Sequence, residues 1–289
     1  MNTNILANKI NELRVRYHYA AQGKQALIDL INESEISEHV YNSNAIENST
    51  LSLDETEKIL LQIELDRYIS ERELFEAKNL AAVIKYISSK ALYEPLTLDL
   101  ILLLHKMLLA NFDEKIAGRF RAETEWVRVG NYIAVDPKII VPKLQDMLTE
   151  FMATTNLPIA NRIAKLHLTF EHIHPFVDGN GRIGRVLNNY LLIREGYVPI
   201  NIKFRDRKQY YEAFKEFDSK GKIDIMHEII LRSIINSFYK RLTYLEGKET
   251  ITLAEFAKRT GISHSNLLNK AKRQTIEAFT EKGIWKIGV

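Results

Sequence analysis

The segment from His174 to Arg185 reads His-Pro-Phe-Val-Asp-Gly-Asn-Gly-Arg-Ile-Gly-Arg, and it joins two amphipathic runs. Those runs, Ile159 to Ile173 and Arg182 to Arg194, carry apolar residues at helical spacing. The chain must therefore stop one helix, turn within a few residues and start another. Pro175 ends the first helix and fixes the turn. Gly179 and Gly181 allow unusual dihedrals and close approach of the backbone to a ligand. The free N–H groups at the start of the second helix form an anion site.

The side chains suit that site. Arg182 and Arg185 lie three apart and project from one side of the helix. Each planar guanidinium matches phosphate oxygens, so the pair points to a di- or triphosphate. Asp178 is a hard oxygen ligand beside it, suited to magnesium bridging phosphates. His174 titrates near neutral pH and can take a proton from a hydroxyl. Together these groups describe transfer to a hydroxyl from a metal-bound nucleotide, with catalysis by positioning and charge stabilisation. No G-x-x-x-x-G-K-[ST] and no G-x-G-x-x-G occurs, so P-loop and Rossmann readings fail. His167, His172 and His174 with Glu171 lack the H-E-x-x-H spacing of a zinc protease.

Most of the remainder reads as helix. Helices are expected over Lys24 to Glu47, from the Ser52/Glu55 capping box to about Tyr68, and over Glu71 to Lys90 and Thr97 to Ala110. Others are expected from Pro142 to Met152, Gln209 to Phe217 and Ile223 to Leu245. Trp126 to Ala134 is β-prone, and Gly130-Asn131 reads as its hairpin turn. Glu246 to Glu249 reads as a linker. Beyond it, Leu253 to Arg259, Gly261 and Ser263 to Gln274 read as helix-turn-helix, and Phe279 to Ile287 as a two-stranded wing. The division expected is 1–110, an N-terminal helical region; 111–245, a catalytic core; and 250–289, a winged helix-turn-helix.

Composition narrows the function by exclusion. The 289 residues are 46% hydrophobic and 27% charged, with formal net charge +3, so no global field draws the molecule to nucleic acid or membrane. The absence of cysteine removes disulfides and thiolate chemistry. Met1 to Leu13 lacks the pattern of a signal peptide, and Leu98 to Ala110 is too short and charged for a bilayer. A cytoplasmic protein without membrane contact is expected.

The central segment resembles the signature of the Fic family, H-x-F-x-[DE]-G-N-G-R-x-x-R, at every specified position. The resemblance covers roughly Ser43 to Leu245. It implies a mainly α fold, a Fic-type helical bundle with a small β-hairpin flap, here followed by a small winged-helix domain. It implies AMP transfer from ATP, with Mg2+ or Mn2+, to a hydroxyl of a target protein. By position, His174 is the base, Asp178 holds the metal, and Gly179, Asn180 and Gly181 cradle the α- and β-phosphates. Arg182 contacts the phosphate chain, Arg185 meets the γ-phosphate, and Phe176 belongs to the nucleotide loop as its anchor. The family's phosphorylating branch has lysine where Gly181 stands, which favours nucleotidyl transfer here.

Two further elements resemble the family. Ser43-Asn44-Ala45-Ile46-Glu47-Asn48 is similar to its inhibitory motif [ST]-x-x-x-E-[GN]. Ser43 and Glu47, four apart, share a helix face that could set Glu47 against Arg185. The Trp126 to Ala134 hairpin resembles the flap, whose edge pairs with a target segment. Self-modification and a homodimer are compatible with this reading. Lys270, Lys272 and Arg273 give the C-terminal module a basic helix for DNA or protein contact. Two other readings stay open: a nucleotide-sensing DNA-binding regulator, and removal of AMP at the same site.

Overall fold

The computed structural model of the chain describes residues 3–130 and 132–289. Asn131, read as half of the hairpin turn, lies outside the described residues. Among the described residues the regular structure is twelve α-helices, two short 3-10 helices and two small sheets. The chain divides into two compact units, residues 36–230 and residues 1–35 with 231–289. Helices α2 (Gln25–Ile46) and α10 (Asp224–Leu245) each contribute to both.

The larger unit is built around α7 (Ile159–Ile173) and α8 (Asn180–Arg194). Ile163, Phe170, Ile183 and Leu187 are fully buried there. Both helices bury residues on nearly every side, the mark of central rather than surface helices. Around them lie α4 (Glu71–Lys90), α5 (Leu98–Leu109), α6 (Ile140–Ala153) and α9 (Arg207–Lys220). Ser70 and Thr97 cap α4 and α5 with their side-chain oxygens. The capping box at Ser52 and Glu55 is formed, but its helix α3 (Leu53–Leu60) stops well short of Tyr68. Gln62 is left-handed at φ 61°, which a helix cannot continue through. The hairpin is formed by β1 (Arg128–Val129) and β2 (Tyr132–Ile133), with Arg128 opposite Ile133 and Val129 opposite Tyr132.

In the smaller unit, α1 (Thr3–Ala21) is a helix that the sequence reading did not anticipate, although Leu6, Ile10 and Leu13 form a buried stripe along it. The C-terminal module has α11 (Leu253–Thr260) and α12 (His264–Lys272), joined through left-handed Gly261. The expected two-stranded wing is formed, and a third strand that was not expected joins its sheet. β3 (Thr250–Thr252) pairs with β5 (Ile284–Gly288), which also pairs with β4 (Ala278–Glu281). Ile251, Leu253, Ala271, Ala278 and Ile287 form the core. Residues 246–249 make a tight turn rather than a free linker: the Lys248 N–H bonds to the Thr243 carbonyl, and Glu246 bonds Arg16 at 2.6 Å. No helix of the described residues is long and apolar enough to cross a membrane.

Candidate active site

His174 closes α7 in the left-handed conformation, φ 51° and ψ 62°. A non-glycine residue there costs on the order of 1–3 kcal/mol, so surrounding contacts must hold it. Arg121 supplies them. Its Nε donates to the His174 carbonyl at 2.8 Å, and its Nη2 lies 3.4 Å from that of Ile173. Burial lowers the His174 pKa to about 4; the Glu171 carbonyl and the Glu47 and Asp178 charges oppose this, and Arg121 adds to it. The imidazole is therefore neutral at pH 7 and able to accept a proton.

The loop behind the base is fastened from within. Phe176 is fully buried, and its ring stacks on His105 at 3.7 Å between centroids. It supports the loop from the core side and does not line the cavity. His105 accepts the Gly118 N–H through Nδ1 and donates from Nε2 to the Asp178 carbonyl at 3.1 Å. Burial lowers its pKa to about 4, which keeps that neutral form. Asn180 is buried, and its side chain bonds both the N–H and the carbonyl of Phe176, each at 2.9 Å. It is the first residue of α8 and not a left-handed turn residue.

The two glycines differ in what they do. Gly179 is left-handed at φ 82°, as a turn glycine should be. Gly181 has ordinary helical geometry inside α8, contrary to the expectation of unusual dihedrals. Its reason is space, because a Cβ there would collide with Glu47 Oε1.

Asp178 accepts from the Gly179 N–H, from Arg72 at 2.6 Å and from Arg182 at 3.3 Å. Burial opposes its ionisation, but Arg182, that N–H and Arg72 outweigh it and lower its pKa. Arg182 also meets Glu76 at 3.0 Å. Arg185 is turned elsewhere. It donates to the Ser43 hydroxyl at 2.9 Å, the Ser43 carbonyl at 2.8 Å, Glu47 at 2.9 Å and Tyr210 at 3.2 Å. Ser43 is on α2, and Glu47 sits in the turn just beyond that helix, ahead of left-handed Asn48. Burial works against the Arg185 charge, but Tyr210, Glu47 and Glu171 raise its pKa.

These residues surround a cavity of about 1010 Å³ lined by Glu47, His174 and residues 177–182, with Tyr132 on one wall and Tyr211 and Phe214 on another. It is large enough for a nucleotide. The start of α8 opens into it, so anionic groups would meet free N–H donors. The sequence reading weighed Glu171, His167 and His172 only as zinc ligands and gave them no part in this site. Glu171 lines the cavity, its Oε1 lacks a hydrogen-bond partner, and burial, reinforced by Glu47, raises its pKa to about 8. A Cβ on Gly184 would meet that oxygen, so Gly184 makes room for it. Its position three residues before His174 on one helix was the available signal. His167 Nε2 meets the Tyr210 hydroxyl at 2.7 Å, while His172 pairs with Asp218 at 2.8 Å.

Comparison with known proteins agrees with this geometry. The profile of the Fic/DOC family matches residues 95–192. Protein adenylyltransferase fic-1 of Caenorhabditis elegans is 31% identical over 213 residues, 72% of this chain and 41% of that protein. Protein adenylyltransferase Fic of Nematostella vectensis is 30% identical over 219 residues, 73% of this chain and 50% of that protein. The chain thus spans about half the length, or less, of these relatives. Among solved structures, a Fic domain containing signaling protein from Bacteroides thetaiotaomicron has a TM-score of 0.74 at 23% identity, covering 83% of this chain and 97% of that one. A C. elegans Fic-1 structure has a TM-score of 0.70 at 25% identity, covering 84% and 71%. Motif, fold and relatives agree: the chain carries a Fic domain of the Fic/DOC family.

Proposed function

We propose that this chain transfers AMP from ATP to a hydroxyl of a target protein, and that Glu47 restrains the reaction. The observation that carries the reading is the convergence of neutral His174, the α8 N-terminus and the Glu47–Arg185 pair on one cavity. His174 takes the proton of the attacking hydroxyl. That oxygen bonds to the α-phosphorus, the α–β phosphoanhydride bond breaks, and pyrophosphate leaves. The N–H groups opening α8 and the Arg182 guanidinium receive the charge on the phosphate chain. Asp178 would hold Mg2+ or Mn2+. A single carboxylate beside a phosphate cradle fits a cation that arrives largely coordinated by nucleotide and water. When bound, that cation neutralises phosphate charge.

Arg185 is the cation for the γ-phosphate, and Glu47 occupies it. With that partner taken, ATP lies with its α-phosphate out of line with the attacking oxygen. The exposed edge of the β1–β2 hairpin takes a target segment by main-chain pairing. The exposed side chains of Trp126 and Ile133 flank that edge. In the C-terminal module, two helices against a three-stranded sheet support a winged helix-turn-helix reading. Its helix α12 carries Lys270 and Lys272 and no acidic residue.

The test is incubation of wild type and Glu47→Gly with α-labelled ATP, Mg2+ or Mn2+ and cell lysate, followed by intact mass of each labelled band. A gain of one adenylyl group per labelled protein is expected. Absence of label with both proteins and both metals would sink the reading.

A further inference from the structure

Arg121 lies outside the signature loop, at the foot of the hairpin, and its side chain is only 4% exposed. Among the described residues no carboxylate hydrogen-bonds it, although the charges of Glu125 and Asp136 act on it from nearby. Its donors are spent on backbone carbonyls from two places. Nε donates to His174 at 2.8 Å and Nη2 lies 3.4 Å from the Ile173 carbonyl, the last carbonyls of α7. Nη1 donates to Glu125 at 2.9 Å and Nη2 also to Val135 at 2.7 Å, one carbonyl on each side of the hairpin. The Arg121 N–H donates to the Pro175 carbonyl at 2.9 Å, just past the base. The carbonyl end of a helix carries partial negative charge, which with the nearby Glu125 and Asp136 helps a buried cation to be tolerated without a carboxylate bonded to it. A planar fork can hold carbonyls in several fixed directions at once, whereas an ammonium holds them as a point charge.

We propose that Arg121 is a positioning residue that couples the hairpin to the base: it fixes the left-handed backbone of His174 and ties it to both sides of the segment expected to hold the target. A target segment seated on the hairpin edge then aims the imidazole through this side chain, beside the separate link in which the Tyr132 hydroxyl donates to the Glu171 carbonyl at 3.2 Å. The proposal rests on the reading of His174 as general base and of the hairpin as the docking edge.

The test uses the full chain with Arg121→Lys and Arg121→Gln, and Arg162→Lys as control. Arg162 is also a buried arginine bonded to a backbone carbonyl, that of Phe151, but at α6. Two readouts are taken. In steady-state AMP transfer, in the Glu47→Gly background, Arg121→Lys should lower kcat about tenfold to a hundredfold, the cost of a misplacement near 1 Å. KM for ATP should stay within about twofold, because the phosphates are held elsewhere. In amide hydrogen exchange, residues 173–176 and the hairpin should lose protection together, and α8 should keep its own. Arg162→Lys should show neither effect at a matched loss of Tm. Equal changes in kcat with the control, or exchange that rises in the loop but not in the hairpin, would overturn the coupling. If neither Arg121 variant folds, Arg121 is a fold residue with no separable part in aiming His174, and the proposal is equally overturned. If the Glu47→Gly chain itself transfers nothing, the adenylyltransfer reading has failed, while the exchange arm still decides whether Arg121 links the two segments.

Discussion

The signature loop and the hairpin face the same cavity and are built in opposite ways. In the loop almost every side chain has a fixed partner: Phe176 stacks on His105, Asn180 staples Phe176, Asp178 sits between two arginines, and Arg185 is held by Ser43, Glu47 and Tyr210. The hairpin has two residues per strand, and Trp126 and Ile133 are more than half exposed. On the proposed reading the loop does chemistry, which needs atoms placed to a fraction of an ångström and accounts for its locked side chains. Recognition by edge pairing, as proposed, would use backbone groups common to all residues, so Trp126 and Ile133 can stand free, while Tyr132 donates to the Glu171 carbonyl and stacks on His172. The difference teaches that substitutions in the loop should change turnover, and substitutions in the hairpin should change apparent affinity for the target.

His174→Ala sets the upper end of that comparison. Loss of the proton acceptor should reduce transfer by roughly a hundredfold or more, while ATP binding measured by calorimetry is largely retained. A loss below about tenfold would rule out general-base catalysis. Glu47→Gly should raise turnover on the order of tenfold or more, by freeing Arg185 to align the nucleotide. In that background Arg185→Ala should be inactive again, since the cation itself is required. Equal self-modification by wild type and Glu47→Gly would return Glu47 to an ordinary helix-end carboxylate.

The hairpin should respond more weakly. Trp126→Ala with Ile133→Ala should raise KM for a protein target by about three- to tenfold with kcat little changed. A fall in kcat with unchanged KM would erase the contrast between the two regions. The smallest effect concerns Glu171, which aids neither region by a hydrogen bond from Oε1. Its folded pKa of about 8 lies above the ordinary carboxylate value. The unfolded chain releases that proton first, so folded stability is lost as pH rises from the ordinary value through about 8. Glu171→Gln should remove this slope and raise Tm by a few degrees at pH 8, with little gain at pH 4. A Tm difference independent of pH would show that Glu171 is ionised in the fold.

Much of this organisation was legible in the sequence, for local reasons. Helix α7 runs from Ile159 to Ile173 as its apolar spacing and Pro175 require, and the Ser52 capping box and the left-handed Gly179 and Gly261 follow from rules that act within a few residues. The pair Glu47–Arg185, 138 residues apart, was accessible only through resemblance to a family, since no spacing rule spans that distance. The roles of Arg121, Asn180 and Gly181 were hidden for the same reason: each is defined by what folding brings beside it. The linker reading of residues 246–249 failed because charge and one glycine look alike in a tether and in a tight turn. Within the smaller unit, Arg16 bonds Glu246 and Glu277, and Lys240 bonds Glu281, so the C-terminal module shares ion pairs with α1 and α10. Ending the chain near Leu245 would take both of these partners from Arg16 and one from Lys240, which keeps Glu35.

Gly181 has a consequence for how such a protein can change over generations. The space above its Cα is filled by the Glu47 carboxylate, and the same stretch of backbone opens the anion-binding end of α8. Any larger residue there displaces the Glu47 carboxylate and, on the proposed reading, also intrudes where phosphate would approach. On that reading a single-letter change at this position should not both relieve the restraint and keep AMP transfer. Variants that escape restraint should arise on the α2 side, at Ser43 or Glu47, and lineages that lose activity outright should be free to accept side chains at position 181.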